Sequence, residues 1–467
     1  MSQLAVRESA IAGLRMLELP LHGDARGWFK ENWQREKMVA LGLPDFQPVQ
    51  HNVAYNEQVG VTRGVHAEPW DKLISLTSGA IFGAWVDLRE GPGFGRVVTA
   101  RIGPGQAVFI PHGVGNSYQS LEPGTTYSYL VNRHWSEQAT SSYTFVNLAD
   151  PALAIPWPIP LSQSIQSAAD RAHPPLAQVT PVPQRRTVVL GAGGQLGRAL
   201  AEVLPEATCL TRNDLDLTSS DALKEYGWHD VGVIINAAAY TAVDAAETES
   251  GRRDCWAVNV TGVGRLVEIC RRFGITLVNF SSDYVYDGTL AEHDEDEPVS
   301  PLGVYGQTKA AGDALVATWQ RHYTIRTSWV VGQGRNFVAT LASLARSGVS
   351  PTVVDDQFGR LTFAEDLAAG AAYLVATGAP YGTYNLTSGG PVQSWADIAA
   401  DVFDLCGRAR ADVTGISSRE YAEGKNLAPR PQHSALRLDK ILQQGFRPGD
   451  RVTLMARHAG AVPGGQG

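Results

Sequence analysis

The stretch TVVLGAGGQLG, residues 187–197, decides the architecture of the larger half of this chain. A β-branched run, Thr187–Leu190, enters a glycine cluster, and helical spacing takes over from Gln195 to Val203. Gly191, Gly194 and Gly197 stand as GxxGxxG at that strand-to-helix turn. Glycine there permits a tight turn and lets main-chain amides approach a pyrophosphate at the positive end of a helix. Glycine-rich strand ends also serve packing alone, so the motif counts through its context. That context continues downstream with Val231–Asn236 (strand), Arg253–Arg272 (helix), Thr276–Phe280 (strand), Lys309–Trp319 (helix) and Tyr323–Arg326 (strand). Strands alternating with helices of this length predict βαβ units and a parallel, Rossmann-like sheet. The expected dinucleotide contacts are Gly191, Gly194, Gln195, Leu196 and Gly197, with Ala238, Ala239 and Tyr240 of NAAAY. The end of the second strand, CLTRNDLDL, has no acidic residue where a ribose 2′-hydroxyl would need one and offers Arg212 instead. An arginine there favours a 2′-phosphate, so the cofactor expected is NADPH or NADH, with NADPH preferred. Asp216 and Leu217 are expected to flank the adenine.

Upstream the rhythm differs. Between residues 20 and 150 short alternating runs (Lys72–Thr77, Ala80–Arg89, Gly95–Ile102, Gln106–Ile110, Thr125–Val131) are broken by Gly, Pro and Asn, with one helical stretch at Gln34–Ala40. This predicts an all-β sandwich or barrel. The Pro-rich segment Pro156–Arg186 reads as a semi-rigid connector. The expected boundaries are 1–178 for the β domain, 179–185 for the linker, 186–458 for the nucleotide-binding domain and 459–467 for a frayed Gly-rich tail.

The 467 residues carry a net charge of −8, which argues against a nucleic-acid partner. No apolar run approaches a membrane span, and the N-terminus has no signal pattern. The four cysteines have no CxxC or paired spacing, which fits a reducing, cytoplasmic setting.

The chemistry of the larger half gathers in VNFSSDYVY (278–286) and in Tyr305-Gly306-Gln307-Thr308-Lys309, a YxxxK opening a helix. Positions i and i+4 share a helix face, so the ammonium lies beside the phenol and is expected to lower its pKa into a useful range. In the smaller half, GVTRGVHAEPWDKLI (60–74) sets Arg63, His66 and Lys72 close together. His66-Ala67-Glu68 is the one close His/Glu pair there and no HxH occurs, so no metal is expected.

The larger half resembles the short-chain dehydrogenase superfamily and, within it, the dTDP-4-dehydrorhamnose reductases. The resemblance rests on INAAAYTAVDAAE (235–247), SSDYVYDG (281–288), PLGVYGQTKAAGD (301–313), RTSWVVG (326–332), DQFGRLT (356–362) and APRPQHSAL (428–436). It implies an extended short-chain-dehydrogenase fold, Tyr305 as proton donor to the sugar C4 oxygen, Lys309 on the nicotinamide ribose, and Ser282 beside them. It also implies that Ser282, Asp283 and Trp329 touch the nucleotide-sugar.

The smaller half resembles the dTDP-4-dehydrorhamnose 3,5-epimerases, cupin-like jelly rolls without metal, through GDARGWFKE (23–31), QHN (50–52), TRGVH (62–66), KLI (72–74), VDLREGPGFG (86–95), IPHG (110–113) and ADPALAIPWP (149–158). That resemblance implies His66 as base in a dyad with Asp150, Tyr129 as the acid on the opposite face, and Lys72 at the enolate oxygen. Arg26, Glu31, Gln50, Asn52 and Arg63 would hold the nucleotide-sugar. The chain departs from the family pattern at Asn116, Trp135 and Ala169, where His, Tyr and Lys are usual. These departures leave open a single-position epimerase or a binding module.

Together the resemblances imply conversion of dTDP-4-dehydro-6-deoxy-D-glucose to dTDP-L-rhamnose for a bacterial surface polysaccharide. The partners expected are the dTDP-sugar and a second copy of the chain, a homodimer through the β half.

Overall fold

The computed structural model describes residues 3–44, 46–183, 185–228 and 230–460, and the chain divides into two compact units, Met1–Gln184 and Arg185–Gly467.

In the first unit the alternating runs form two antiparallel sheets. One orders its strands Ala5–Glu8, Arg15–Glu18, Gln106–Ile110, Lys72–Ser78, Thr125–Val131, Gln50–Asn56; the other orders Thr144–Phe145, Thr62–Ala67, Val114–Ser120, Ile81–Asp87, Val97–Ile102. Period-2 alternation explains how they pack. Ile74, Val108 and Tyr127 of the first sheet share one buried core with Ile81, Trp85 and Tyr118 of the second. On the other face of the first sheet, Leu73 and Phe109 pack with Met38 of the helix Arg35–Ala40, whose first turn is capped by the Gln34 side chain. The result is a cupin-like β-sandwich.

The Pro-rich segment after residue 156 is not a free connector. Trp157, Leu161, Leu176, Val179 and Val182 pack against the cluster around Val65, Val86 and Leu148. Ile159 N donates to Gln119 Oε1 at 2.9 Å, and Val182 forms a β-bridge with Arg89. The prolines fix the backbone, and the large apolar residues between them find sites on the sandwich, so much of the expected linker is wall. Of the expected tail, Ala459 is buried at a helix end, and 461–467 lie outside the described residues.

The second unit is built on a six-stranded parallel sheet in the order Thr208–Leu210, Arg186–Leu190, Val231–Asn236, Thr276–Ser282, His322–Thr327, Gly382–Asn385. Both faces are covered, as a parallel sheet requires. Val188 and Leu190 face the helices Val263–Phe273 and Val304–Ala317, whereas Val189 faces Gln195–Val203 and Ala364–Thr377. The strand order reverses at Arg186–Leu190, opening a crevice beyond its C-terminal end where the glycine cluster lies. The long helix expected at Arg253–Arg272 is Glu249–Trp256, a π-helical turn Ala257–Gly262, and Val263–Phe273. A further apolar core joins Phe337–Arg346, Trp395–Leu405 and Arg451–His458.

Among the described residues no helix is long and apolar enough to cross a membrane. Cys209, Cys255, Cys270 and Cys406 are free thiols.

Candidate active sites

The glycine turn separates two demands. Gly191 has φ +78°, and a Cβ there would stand 2.6 Å from Ala238 N; a Cβ on Gly197 would stand 2.2 Å from Gly191 O. These two positions need glycine for backbone packing. Gly194 is less crowded, with Gly191 O at 3.4 Å as its nearest neighbour, and it precedes the helix without a side-chain cap. The first-turn amides are therefore available to an anion. Gln195 Nε2 donates to Arg335 O, and Leu196 packs on the core below. Arg212 is exposed, 3.1 Å from Asp216 Oδ2, while Asp216 Oδ1 accepts from Thr218 N. Leu217 corrects an expectation. Its side chain is buried in the core with Leu215 and Val263, which leaves only its main chain to border an adenine.

Ala238 and Ala239 leave the strand Val231–Asn236, and Tyr240 packs with Tyr305 and Val304. Asn259, which the motif reading missed, ties this loop to the helix Val304–Ala317. Its Oδ1 accepts from Tyr240 N at 2.9 Å, and its Nδ2 bonds Tyr240 O and Thr308 Oγ1, both at 3.1 Å. The π-helical turn carries it, and such a turn is often found at functional sites.

The Tyr305 phenol lies beside Ser282, whose Oγ donates to Asp283 Oδ1 at 2.8 Å. The expected lowering of the Tyr305 pKa by Lys309 is not found. Burial first, then the field of Asp283, pushes the phenol up. The Lys309 ammonium instead donates to Phe280 O at 2.5 Å, and burial lowers its pKa against the pull of Asp313. The phenol is thus held in its protonated form.

Asp283 is buried, and burial pushes its carboxyl up to about 6. The unfolded chain releases this proton near 3.8, so the charged group costs stability above pH 6 and nothing once both states are protonated. We expect the stability difference between Asp283→Asn and the wild type to grow in the variant's favour by about 2 kcal/mol from pH 4 to pH 7. Urea unfolding of the second unit across that range measures it; a difference that does not change with pH contradicts the assignment.

A cavity of about 760 Å³ opens beside this centre, lined by Tyr284, Phe337, Leu341, Trp395, Tyr421 and Arg430 among others. Trp329, with φ +44°, stacks on Trp395 at 3.8 Å between centroids, and Gly359 lies under its ring. Arg430 is held by both carboxylate oxygens of Asp244 at 2.9 Å.

In the sandwich His66 lies on Thr62–Ala67, and its Nε2 is 2.8 Å from Asp170 Oδ1. The expected dyad with Asp150 is therefore corrected. Asp150 caps a 3₁₀ turn, its Oδ1 accepting from Ala152 N and its Oδ2 from Leu176 N, so both oxygens are engaged by main-chain amides. Asp170 sits on the short helix Ala168–Ala172 with its amide capped by Ser167. Burial works to raise its carboxyl, yet the bonds from His66 and Ser167 leave it below its ordinary value. His173, also missed, lies edge-on to His66 and stacks on Phe145, with Nδ1 4.0 Å from Asp170 Oδ1. Among the described residues these three alone form a His/Cys/Asp/Glu group with metal-like proximity. The 2.8 Å spacing of its inner pair is that of a shared proton.

Tyr129 faces Asn52 across the strands; Asn52 Oδ1 accepts from Gln50 Nε2, and Gln50 Oε1 accepts from Trp135 N, both at 2.9 Å. Lys72 Nζ lies 4.6 Å from the Tyr129 ring centroid. Arg63 is on the strand of His66 and reaches Asn56 Oδ1 at 3.4 Å. Asn116 pairs with His66 in register, but its Oδ1 is taken by Trp85 Nε1 and Tyr127 OH. Trp135 is exposed. Arg26 and Glu31 are not brought into this group; they pair with Asp24 and Lys37 in their own exposed segment.

The family model described as the RmlD substrate binding domain matches residues 185–452, and the model of dTDP-4-dehydrorhamnose 3,5-epimerase matches residues 8–178. The chain belongs to both families, one in each half. On the epimerase side it is 47% identical over 185 residues to a protein named RmlC homolog from Streptococcus pyogenes serotype M6, covering 93% of that protein and 38% of this chain. On the reductase side it is 37% identical over 282 residues to a dTDP-4-dehydrorhamnose reductase from Aggregatibacter actinomycetemcomitans, covering 95% of that protein and 57% of this chain. A solved dTDP-4-dehydrorhamnose reductase from Bacillus anthracis in complex with NADP is 29% identical with a TM-score of 0.54, over 59% of this chain and 98% of that one.

Proposed function

We propose that the chain performs two consecutive steps on one dTDP-linked sugar: 3,5-epimerisation of dTDP-4-dehydro-6-deoxy-D-glucose, then NADPH-dependent reduction of the 4-keto group to dTDP-L-rhamnose. The observation that carries this reading is the pairing, in one chain, of a His66–Asp170 centre with a Ser282–Tyr305 centre. The product of the first chemistry is the substrate of the second. The sandwich is read as a jelly roll and the second unit as an extended short-chain dehydrogenase, working in the cytoplasm.

In the sandwich, His66 removes the proton next to the ketone, its imidazole oriented by Asp170. Tyr129 returns a proton from the opposite face, and Lys72 meets the developing enolate oxygen. Gln50, Asn52 and Arg63 hold the nucleotide-sugar.

In the second unit the helix turn after Gly194 takes the cofactor pyrophosphate, and exposed Arg212 suits a 2′-phosphate. NADPH supplies the hydride to C4. Tyr305 gives its proton to the C4 oxygen while Ser282 holds that oxygen, and Lys309 orients the cofactor ribose. The cavity lined by Phe337, Leu341 and Trp395 takes the nucleobase, with Arg430 at its rim for the diphosphate.

A homodimer through the sandwich is supported by the sheet-edge strand Gln50–Asn56, which exposes Val53 and Tyr55, and by the hairpin nearby in sequence, which exposes Trp28 and Phe29.

The test is to supply the 4-keto-D-gluco substrate with NADPH and identify the product by NMR. An L-rhamno product is expected. A 6-deoxy-D-hexose would mean that the sandwich is only a binding module.

A further inference from the structure

Three residues in the turn between Thr62–Ala67 and Lys72–Ser78 form a buried clamp. Glu68 Oε2 lies 2.7 Å from Lys72 Nζ, with the two side chains 14% and 7% exposed. The same oxygen accepts a hydrogen bond from Trp70 Nε1 at 2.5 Å. Tyr143 packs edge-on against Trp70 at 5.6 Å, Phe145 follows at 5.8 Å, and Phe145 meets the edge of His66 at 5.3 Å. A continuous wall thus joins the His66 base to the Lys72–Tyr129 pair.

A lysine this buried is stable as an ammonium only beside a counter-charge, and a buried carboxylate likewise needs donors. Glu68 supplies the first requirement and Trp70 part of the second. The flexible four-carbon stem of Lys72 is also fixed before substrate arrives, which removes ordering from the catalytic step. The charge of Glu68 reaches the phenols too. Burial first, then Glu68 and Tyr118, raises Tyr129, against Arg63 and Asn52; burial first, then Glu68, does the same to Tyr143.

We propose that Glu68 is a positioning residue of the epimerase centre, clamping the Lys72 ammonium beside Tyr129 with Trp70 as the anchor of the clamp. The proposal rests on the epimerase reading above. Its consequence is that Tyr129 stays a proton donor well into alkaline solution.

The experiment measures initial rates of deuterium exchange into the 4-keto substrate in D₂O without NADPH, from about pH 7 to about pH 10.5, a range that spans the ordinary phenol value, with dTDP affinity measured alongside. The full-length wild type, Glu68→Gln and Glu68→Asp are compared. Glu68→Gln is expected to lose roughly 10²-fold in kcat with dTDP affinity within about twofold, and Glu68→Asp to recover part of the loss. Without the carboxylate the phenolate forms more easily, so the alkaline limb moves to lower pH. A Glu68→Gln profile superimposable on the wild type, or lowered uniformly with its limbs unmoved, overturns the proposal. Should Glu68→Gln fail to fold, Trp70→Phe keeps both charges but removes the anchor of the carboxylate, and it must lower kcat with dTDP affinity unchanged; an unchanged kcat overturns the proposal equally. A wild type that exchanges nothing fails the epimerase reading itself, and Glu68 with it.

Discussion

Tyr305→Phe abolishes NADPH oxidation, by about 10³-fold or more in kcat, and leaves deuterium exchange in the sandwich intact. The reason is positional. Reduction at C4 leaves an alkoxide that must be protonated as it forms, and the phenol at the Ser282 hydroxyl is the donor held there. Burial and the field of Asp283 hold that phenol protonated, and phenylalanine has no proton to give at any pH. Phenylalanine keeps the ring contacts with Tyr240 and Val304, so cofactor affinity measured by fluorescence should change little. Stopped-flow measurement of NADPH oxidation on the epimerised ketone checks it. Turnover within about tenfold of the wild type would place the donor elsewhere.

The second large effect separates two aspartates. Asp170→Asn should reduce exchange at C3 and C5 by roughly 10²–10³-fold, whereas Asp150→Asn should leave the rate near that of the wild type. An asparagine in place of Asp170 would still fill the space, but a neutral amide cannot stabilise the imidazolium that His66 becomes when it takes the proton. Asp150 accepts from the main-chain amides of Ala152 and Leu176; asparagine can keep the first bond but sets its NH2 against the second amide, so the change appears as about 1–3 kcal/mol of stability. Exchange rates and urea unfolding of both variants decide between them. An inactive Asp150→Asn with an active Asp170→Asn would restore the pairing expected from sequence.

That reversal shows where sequence was legible. The parallel sheet, the glycine turn and the Tyr305–Lys309 spacing are local patterns, legible from periodicity, although the helix expected at Arg253–Arg272 is broken by the π-helical turn Ala257–Gly262. His66 and Asp170 are 104 residues apart, and the contact between them is made by the C-terminal segment of the first unit folding back over the sheet. No spacing announces such a contact. NLADP looked like a better home for a catalytic acid because a capping aspartate and a catalytic one share a residue type. Leu217 shows a similar limit: its place in CLTRNDLDL does not say that its side chain is covered by the helix Val263–Phe273. Glu68 was visible only as a possible metal ligand, and its ion pair with Lys72 depends on how the turn at Trp70 closes. The Tyr305 phenol ran opposite to the simple expectation because depth of burial, which outweighs the nearby ammonium, cannot be counted from YxxxK.

The central claim is that one chain carries both chemistries on one sugar, and a single labelling measurement tests it. The full-length protein is incubated with the 4-keto substrate in D₂O until exchange is complete, NADPH is then added, and the isolated sugar nucleotide is examined by NMR. The account predicts dTDP-L-rhamnose carrying deuterium at both C3 and C5 and none at C4, since the hydride at C4 comes from the cofactor. A reduced sugar with protium at C3 and C5 would contradict it.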